Sequence, residues 1–445
     1  MRRTISAGIR LLFDMSNARE IALRALIACR QSGAWSDGVL KELLRGADRR
    51  DAALASRLCY GVLQNRMLLD FQIASFVQGK KLQPVVEEIL RLAVYQITKM
   101  DRIPASAAVN EAVEQTKRHA NAHAARLVNG VLRNMLRAQN LPIPQELSLR
   151  YSHPAELTKL LCSQYGAEKT ERLLQSHNEI PPTVLQVNSL CTDLNAVRTA
   201  LEAAGAECSV HPWLADCLTV SGTGNLEALQ AFRDGWFYVQ DAAAKLAVLA
   251  ADIQPGMQVL DCCAAPGGKS FAAAIQMKNR GRLISCDIHP HKLKLIENGA
   301  ARLGLSVLQT CLQDASQPVR EWYGAMDAVL ADVPCSGLGV IRKKPDIRYK
   351  DLRQTEHLPE IQMKILEQQA HYVRDGGILL YSTCTILRRE NEEIAENFLR
   401  RHPEFEAETV RFPQNSGIPD AAMTTLLPCD RGTDGFFICK FRRRT

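Results

Sequence analysis

The chain has 445 residues, enough for two or three domains, and its 46% hydrophobic and 23% charged residues are ordinary for a globular protein and argue against disorder. No apolar run approaches the ~20 residues that cross a bilayer, and the fourteen cysteines include no C-x-x-C pair and no cluster with histidines at metal-ligand spacing. These features argue against a membrane span and a bound metal, and thiols in such a chain read as reduced and cytoplasmic.

The net charge of +7 is unevenly spread. Residues 1–143 hold 22 Lys/Arg against 12 Asp/Glu, residues 144–235 hold 6 against 11, and residues 236–445 hold 27 against 25. The basic excess of the first third hints at a polyanionic partner, with a solvated helical surface as the plain alternative.

In chain order, residues 1–15 carry signal-like charge, but Arg10 interrupts their apolar stretch, so they read as a frayed leader. From Asn17 to Arg137 the pattern is helical. Apolar residues recur at helical spacing in Val86, Ile89, Leu90, Ala93 and Ile97, and again in Leu127, Val128, Val131, Leu132 and Met135. Pro84 and Pro104 sit where helices begin. Lys117, Arg118, Arg126 and Arg133 are the cations such a bundle would offer to a nucleic acid.

Leu141-Pro-Ile-Pro144 breaks the helical pattern and sets a boundary at 143. Residues 144–235 read as a small α/β linking domain: helical stretches at 156–177, a strand at 183–188, a helix at 194–204, two short strands and a helix near Leu226. Residues 236–445 have a strand-helix rhythm, with strands predicted at 257–262, 282–286, 306–311, 326–331 and 377–382, and a late strand at 436–441 closing the sheet edge. The predicted fold is thus multidomain: an all-α N-terminal domain, the small α/β domain, and a C-terminal α/β Rossmann-like domain with a mainly parallel sheet.

The chemistry gathers at the predicted carboxyl ends of those strands, where open α/β sheets bind ligands. The first strand runs into Cys263, Ala264, Ala265, Pro266, Gly267, Gly268 and Lys269, a tight small-residue turn opening a helix. A P-loop would need glycine at Cys263, and the dinucleotide fingerprint is absent. Asp287 ends the second strand, twenty residues beyond Gly267, where a carboxylate would accept from ribose hydroxyls, so a nucleoside-like ligand is expected. Asp314 follows the third strand, Asp332-Val-Pro-Cys-Ser-Gly337 the fourth, and Tyr381-Ser-Thr-Cys-Thr385 the fifth. A lone aspartate there is usually a turn cap, but the group together favours a site. Cys335 and Cys384 are expected to face one crevice, where a thiolate would be a strong nucleophile. A buried, inert thiol remains the plain expectation for the other twelve cysteines.

Residues 263–269, 332–337 and 382–385 resemble the signature motifs of RNA cytosine-C5 methyltransferases. Tyr60-Gly-Val-Leu63, Tyr95-Gln96, Arg102-Ile-Pro104, Asn110-Glu-Ala-Val113 and Val128-Asn-Gly-Val-Leu-Arg133 resemble a NusB-type RNA-binding domain. The combination is similar to bacterial methyltransferases of small-subunit (16S) ribosomal RNA. The resemblance implies S-adenosylmethionine as cofactor, held by residues 263–269 with Asp287 on the ribose, Asp314 near the adenine, and Asp332 in the same site. It implies Cys384 as the nucleophile on cytosine C6, Cys335 as the residue for product release, and Asp332 on the cytosine edge, protonated if it donates to N3. Arg342, Lys343, Lys344 and Arg348 are expected to neutralise substrate phosphates, with a solvated loop as the alternative. The base must be unstacked, so the implied partner is RNA with a single-stranded or loop cytosine. No metal, no membrane and a monomer are expected. A tRNA substrate would leave the motifs unchanged, and a non-catalytic RNA-binding assembly factor is the alternative of another class. Amino-methylating enzymes of this fold would carry an Asn-Pro-Pro-Tyr-like turn in place of Asp-Val-Pro-Cys.

Overall fold

The computed structural model describes residues 17–32, 35–77, 79, 81–138 and 140–445, so the predicted leader at 1–15 lies outside the described residues. The chain forms two compact units, Met1–Ala155 and Glu156–Thr445.

The first unit is helical: α1 (Ala18–Ser32), α2 (Ser36–Leu43), α3 (Arg49–Val77), α4 (Pro84–Lys99), α5 (Ala105–His119), α6 (Ala122–Arg137) and the single turn α7 (Leu147–Arg150). Pro84 occupies the first turn of α4, where its missing N–H is no loss. Asn121 caps α6 by accepting from the Ala124 N–H at 2.9 Å. The predicted stripes supply the core, with Val86, Ile89, Leu90, Ala93, Val128, Val131, Leu132 and Met135 all buried. Each large member contributes about 1.5–3 kcal/mol by leaving water. A side chain at Gly61 would lie 2.0 Å from the Tyr95 ring, so α3 and α4 approach as closely as they do only because residue 61 is glycine. Lys117, Arg118, Arg126 and Arg133 are exposed, as expected of a charged face, although Lys117 pairs with Glu114 and Arg118 with Glu111.

The second unit begins with α8 (Ala155–Tyr165) and α9 (Ala167–Ser176) and contains two sheets. The smaller is antiparallel with order β2-β3-β1-β4, built from β1 (Thr183–Val187), β2 (Glu207–His211), β3 (Leu214–Ser221) and β4 (Phe237–Val239), with α10 (Leu194–Ala203) between β1 and β2. The helix expected near Leu226 is a 3-10 turn, Leu226–Ala228, followed by the single turn α11 (Gln230–Arg233). The boundary read at 235 falls inside this sheet, because alternate residues of β4 serve two cores. Phe237 packs on Leu185, Val187 and Leu218, while Tyr238 stands edge-on to Phe271.

The larger sheet is interleaved with α12 (Ala242–Ala250), α13 (Gly268–Gln276), α14 (Pro290–Leu303), α15 (Leu358–Ala370), α16 (Glu392–Arg401) and α17 (Pro428–Arg431). Its strands are β5 (Gln258–Asp261), β6 (Arg282–Asp287), β7 (Leu308–Leu312), β8 (Met326–Asp332), β9 (Val373–Thr383), β10 (Phe405–Ala407), β11 (Met423–Leu426) and β12 (Phe436–Arg443), in the order β10-β12-β9-β8-β5-β6-β7, with β11 paired to β12. From β9 to β7 the neighbours are parallel. The chain winds outward from β5 through β6 to β7, then returns to β8 on the other side of β5. The switch point between β5 and β8 is therefore where a ligand crevice belongs. The late strand β12 does not close the edge as expected. It pairs antiparallel with β9, and β10 and β11 pair with β12 in turn. Those two strands are short and only partly apolar, which hides them from a pattern search.

Candidate active site

At the switch point β5 ends in Asp261, and the chain turns through 262–267 into α13. Gly267 sits at φ +112°, in the left-handed region, and a Cβ there would meet the Phe271 ring at 2.5 Å. Only glycine meets both demands at this helix start. The Ala264 N–H donates to the Cys286 carbonyl at 2.8 Å, which ties the loop to β6. Cys262 is buried, as a thiol acting as a small hydrophobe should be.

Asp261, the last residue of β5, is a site residue that the sequence reading missed. It is fully buried, accepts from the Ser270 hydroxyl at 2.7 Å through Oδ2, and leaves Oδ1 without a hydrogen-bond partner. Burial pushes its pKa up to about 6, against the Ser270 hydrogen bond and the Lys269 charge, while Asp332 adds repulsion. The signal was a carboxylate ending an apolar strand just before a glycine turn. An orphaned carboxylate oxygen beside this loop fits a ligand bearing a cationic or N–H donor group.

Asp287 and Asp314 end β6 and follow β7, as expected. Both also cap local turns: Asp287 Oδ1 accepts from the His289 N–H at 2.8 Å, and Asp314 Oδ1 accepts from the N–H and hydroxyl of Ser316 at 2.9 and 2.8 Å. Asp287 is buried, with Lys292 Nζ 3.7 Å from its Oδ2.

β8 and β9 run side by side, with Asp332 opposite Ser382, and their ends carry the two cysteines. Cys335 and Cys384 lie with their sulfurs 3.2 Å apart, both partly buried. Asp332 accepts from Lys269 Nζ at 2.7 Å through Oδ2 and from the Ser382 hydroxyl at 2.8 Å through Oδ1. Each carboxylate oxygen of Asp332 is thus already engaged by one donor. Burial opposes the Lys269 charge, but Asp332, by charge and hydrogen bond, holds the ammonium above its ordinary pKa.

The two thiols are polarised in opposite directions. A hydrogen bond from Cys335 brings Cys384 below the usual thiol range, against burial and Asp332, and Lys269 adds attraction. That same bond, then burial and the charges of Cys384, Glu390 and Asp332, push Cys335 well above it. The shared hydrogen bond is the main source of the asymmetry; beside it, Lys269 attracts the Cys384 thiolate while Glu390 opposes one on Cys335.

The basic segment after Cys335 is a correction. Arg342 and Arg348 are buried and point inward, donating to the Gly432 carbonyl at 2.6 Å and to Asn178 Oδ1 at 2.8 Å respectively. Lys343 bridges Asp241 and Asp434 at 2.8 and 2.7 Å. These side chains carry structural partners because the 3-10 turns at 338–340 and 345–349 fold the segment back on the domain. Lys344 is the exposed cation of the four.

Comparison with known families accords with this geometry. The model described as 16S rRNA methyltransferase RsmB/F matches residues 248–442, the NusB family matches 16–137, and the ferredoxin-like domain of RsmF/B-like methyltransferases matches 153–227. The probable ribosomal RNA small subunit methyltransferase B of Bacillus subtilis is 37% identical over 446 residues, covering 96% of this chain and 99% of that protein. The chain belongs to the RsmB/F family of 16S rRNA methyltransferases. The ribosomal RNA small subunit methyltransferase B of Vibrio cholerae, in the same family, is 34% identical over 431 residues, covering 95% of this chain and 96% of its own. Among solved structures, PH0851 superposes with a TM-score of 0.79 at 25% identity, over 97% of this chain and 100% of that one. NSun6 from Pyrococcus horikoshii, solved with SFG, superposes with a TM-score of 0.59 at 20% identity over 66% of this chain and 98% of its own, a likeness of fold. Members of the RsmB/F family are methyltransferases of ribosomal RNA, so the substrate class is RNA. No helix among the described residues is long and apolar enough to cross a membrane.

Proposed function

We propose that this protein methylates C5 of a cytosine in 16S ribosomal RNA through a covalent bond between Cys384 and C6 of the base. The observation that carries this is the pair of thiols 3.2 Å apart at adjacent strand ends, with opposite polarisation and a lysine on the Cys384 side. C5 of cytosine is a poor nucleophile until a thiolate adds at C6 and makes the ring enamine-like. Cys384, held toward the thiolate, is suited to that attack. In release the C5 proton must go to a base as the C6–sulfur bond breaks; Cys335, 3.2 Å from that sulfur, is placed to give its own proton to the departing Cys384 thiolate and take the C5 proton in its place, restoring the C5–C6 double bond. Asp332 would accept from the cytosine N4 amino group, and its hydrogen bonds from Lys269 and Ser382 would orient it for that task.

The glycine turn, Lys269, Asp287 and Asp314 fit S-adenosylmethionine, with Asp261 Oδ1 as a further acceptor near its methionine end. When bound, the cofactor supplies an electrophilic methyl group. Asp287 would hold the ribose hydroxyls and Asp314 would lie near the adenine. We further propose the division of labour read from the sequence: residues 1–143 as the RNA-binding domain, 144–235 as a linking domain, and 236–445 as the catalytic domain, acting in the cytoplasm on an unstacked cytosine. The test is transfer of a labelled methyl group from the cofactor to total RNA, followed by mapping of the modified nucleotide. 5-Methylcytosine in small-subunit ribosomal RNA is the expected product. Label in tRNA alone would move the substrate assignment, and an amino-methylated base would end the covalent reading.

A further inference from the structure

We propose that the adjacent residues Glu390 and Asn391 are positioning residues that bracket the two cysteine segments and hold the thiols against each other, an inference that rests on the covalent reading above. Both precede α16 and both are buried without exposure. Glu390 Oε2 accepts from the Ser336 N–H at 2.8 Å and from Gln362 Nε2 at 2.9 Å, and that same amide nitrogen donates to the Pro334 carbonyl at 3.0 Å. The backbone is thereby tied on both sides of Cys335. Asn391 does the same for Cys384: its Oδ1 accepts from the Thr383 hydroxyl at 2.6 Å, and its Nδ2 donates to the Thr385 carbonyl at 3.1 Å. The Ser336 and Thr385 hydroxyls meet at 2.6 Å and join the two brackets. One peptide bond links the anchors, so the cysteine segments cannot drift apart without breaking several buried hydrogen bonds.

A purely structural clamp has no need of a carboxylate at 390. Glu390 Oε1 is buried without a hydrogen-bond partner, an arrangement that costs stability. What a carboxyl group offers, and an amide does not, is the capacity to place negative charge next to the Cys335 turn it already holds through the Ser336 N–H. Among the charges that act on Cys335 are Cys384, Glu390 and Asp332, and among those that act on Cys384 are Lys269, Asp332 and Asp434. Glu390 therefore acts in two ways: it fixes the Cys335 turn, and it keeps the proton on Cys335 so that Cys384 is the sulfur that attacks.

The test uses the full chain without cofactor or RNA. Iodoacetamide modification of each cysteine is followed against pH by peptide mass spectrometry, and diamide, which takes up the two hydrogens as a disulfide forms, reports sulfur proximity through the Cys335–Cys384 crosslink. In the unmodified protein Cys384 should react first and at lower pH. Glu390→Gln keeps the shape and removes the charge: crosslinking should persist, while the preference for Cys384 over Cys335 falls at least tenfold and the Cys335 curve moves to lower pH. Glu390→Ala and Asn391→Ala should slow the crosslink at least tenfold. In methylation, kcat should fall in all three variants while KM for cofactor stays unchanged. Unchanged selectivity in Glu390→Gln overturns the electrostatic role even if the alanine variants fail to fold. Unchanged crosslinking in folded alanine variants overturns the bracket. An unmodified protein that makes no 5-methylcytosine overturns the functional reading instead, and the alkylation results still decide the positioning one.

Discussion

Cys335→Ala removes one member of the thiol pair. The structure has Cys335 hydrogen-bonded to Cys384 at 3.2 Å, and this bond is the largest influence lowering the Cys384 pKa. A hydrogen bond to a charged acceptor contributes about 1.5–3 kcal/mol, and about 1.4 kcal/mol corresponds to one pKa unit. Removing the donor should therefore raise the Cys384 midpoint by about one to two pH units. Iodoacetamide trapping of Cys384 against pH measures that directly. In the reaction itself the variant should still attack, more slowly, and then fail to release. A protein–RNA adduct that survives denaturing electrophoresis should accumulate over hours when cofactor is present. Cys335→Ser, which keeps an O–H donor, should shift the midpoint less than alanine does. Cys384→Ala should give neither methylation nor adduct. An unchanged or lower Cys384 midpoint in Cys335→Ala would refute the polarised pair, and adduct from Cys384→Ala with none from Cys335→Ala would exchange the two roles.

Asp287→Ala should weaken cofactor binding by about 2–3 kcal/mol, the loss of a charge-assisted hydrogen-bonded pair; unchanged affinity in a calorimetric titration sinks the ribose assignment. Residues 1–155, produced alone, should bind RNA weakly, and with about three phosphate contacts the affinity should drop roughly 20- to 40-fold between 50 and 200 mM salt; binding indifferent to salt would point to another surface. His177 is held to a pKa of about 3 by burial, with Arg348 and Arg342 adding repulsion, against an ordinary 6.5. The unfolded chain takes up a proton near pH 6.5 that the native one refuses, so stability should fall by about 1.4 kcal/mol per pH unit as pH drops from 6.5 toward 3. His177→Gln should flatten the urea-midpoint profile over that window, and an identical slope would exclude the residue as its cause. Asp261→Asn removes a carboxyl group raised to about 6 by burial, so it should stabilise the chain by about 1–3 kcal/mol above pH 6 and by little at pH 4, where Asp261 is already protonated; equal effects at both pH values would refute this.

The glycine turn, Asp287, Asp314, Asp332 and both cysteines are legible in the sequence because each sits at a strand's carboxyl end, and parallel strands deliver those ends to one edge. Periodicity alone places β5, β6, β8 and β9 to within a few residues, since buried parallel strands are apolar throughout. What is not legible depends on long-range partners. Asp261 ends an apolar strand just before the glycine turn, but that local signal is shared with ordinary turn and helix caps, and the orphaned Oδ1 is what sets it apart. Arg342 and Arg348 read as phosphate contacts by composition, yet their partners Gly432 and Asn178 lie about 90 and 170 positions away in the chain. Glu390 and Asn391 look like an ordinary helix start until Ser336, Gln362 and Thr385 are found around them.

Lys269 stands at the junction of the two halves of the site. It is in the first turn of α13, directly after the glycine turn, and its ammonium, held by Asp332, is the cation whose charge reaches Cys384. Removing it would leave Asp332 without its ion-pair partner, weaken the turn and weaken the thiolate together. Loss of activity at 269 therefore cannot be apportioned between cofactor binding and nucleophile activation. Asp287 ends β6, whereas Glu390 and Asn391 are hydrogen-bonded to the segments that carry Cys335 and Cys384. Substitutions at those positions separate what Lys269 joins: the first should change cofactor affinity while leaving the Cys384 midpoint in place, and the others should move the midpoint while leaving cofactor affinity in place. Non-additive effects across that divide would make Asp332–Lys269 the link through which the two halves communicate, since independent sites without shared partners combine additively.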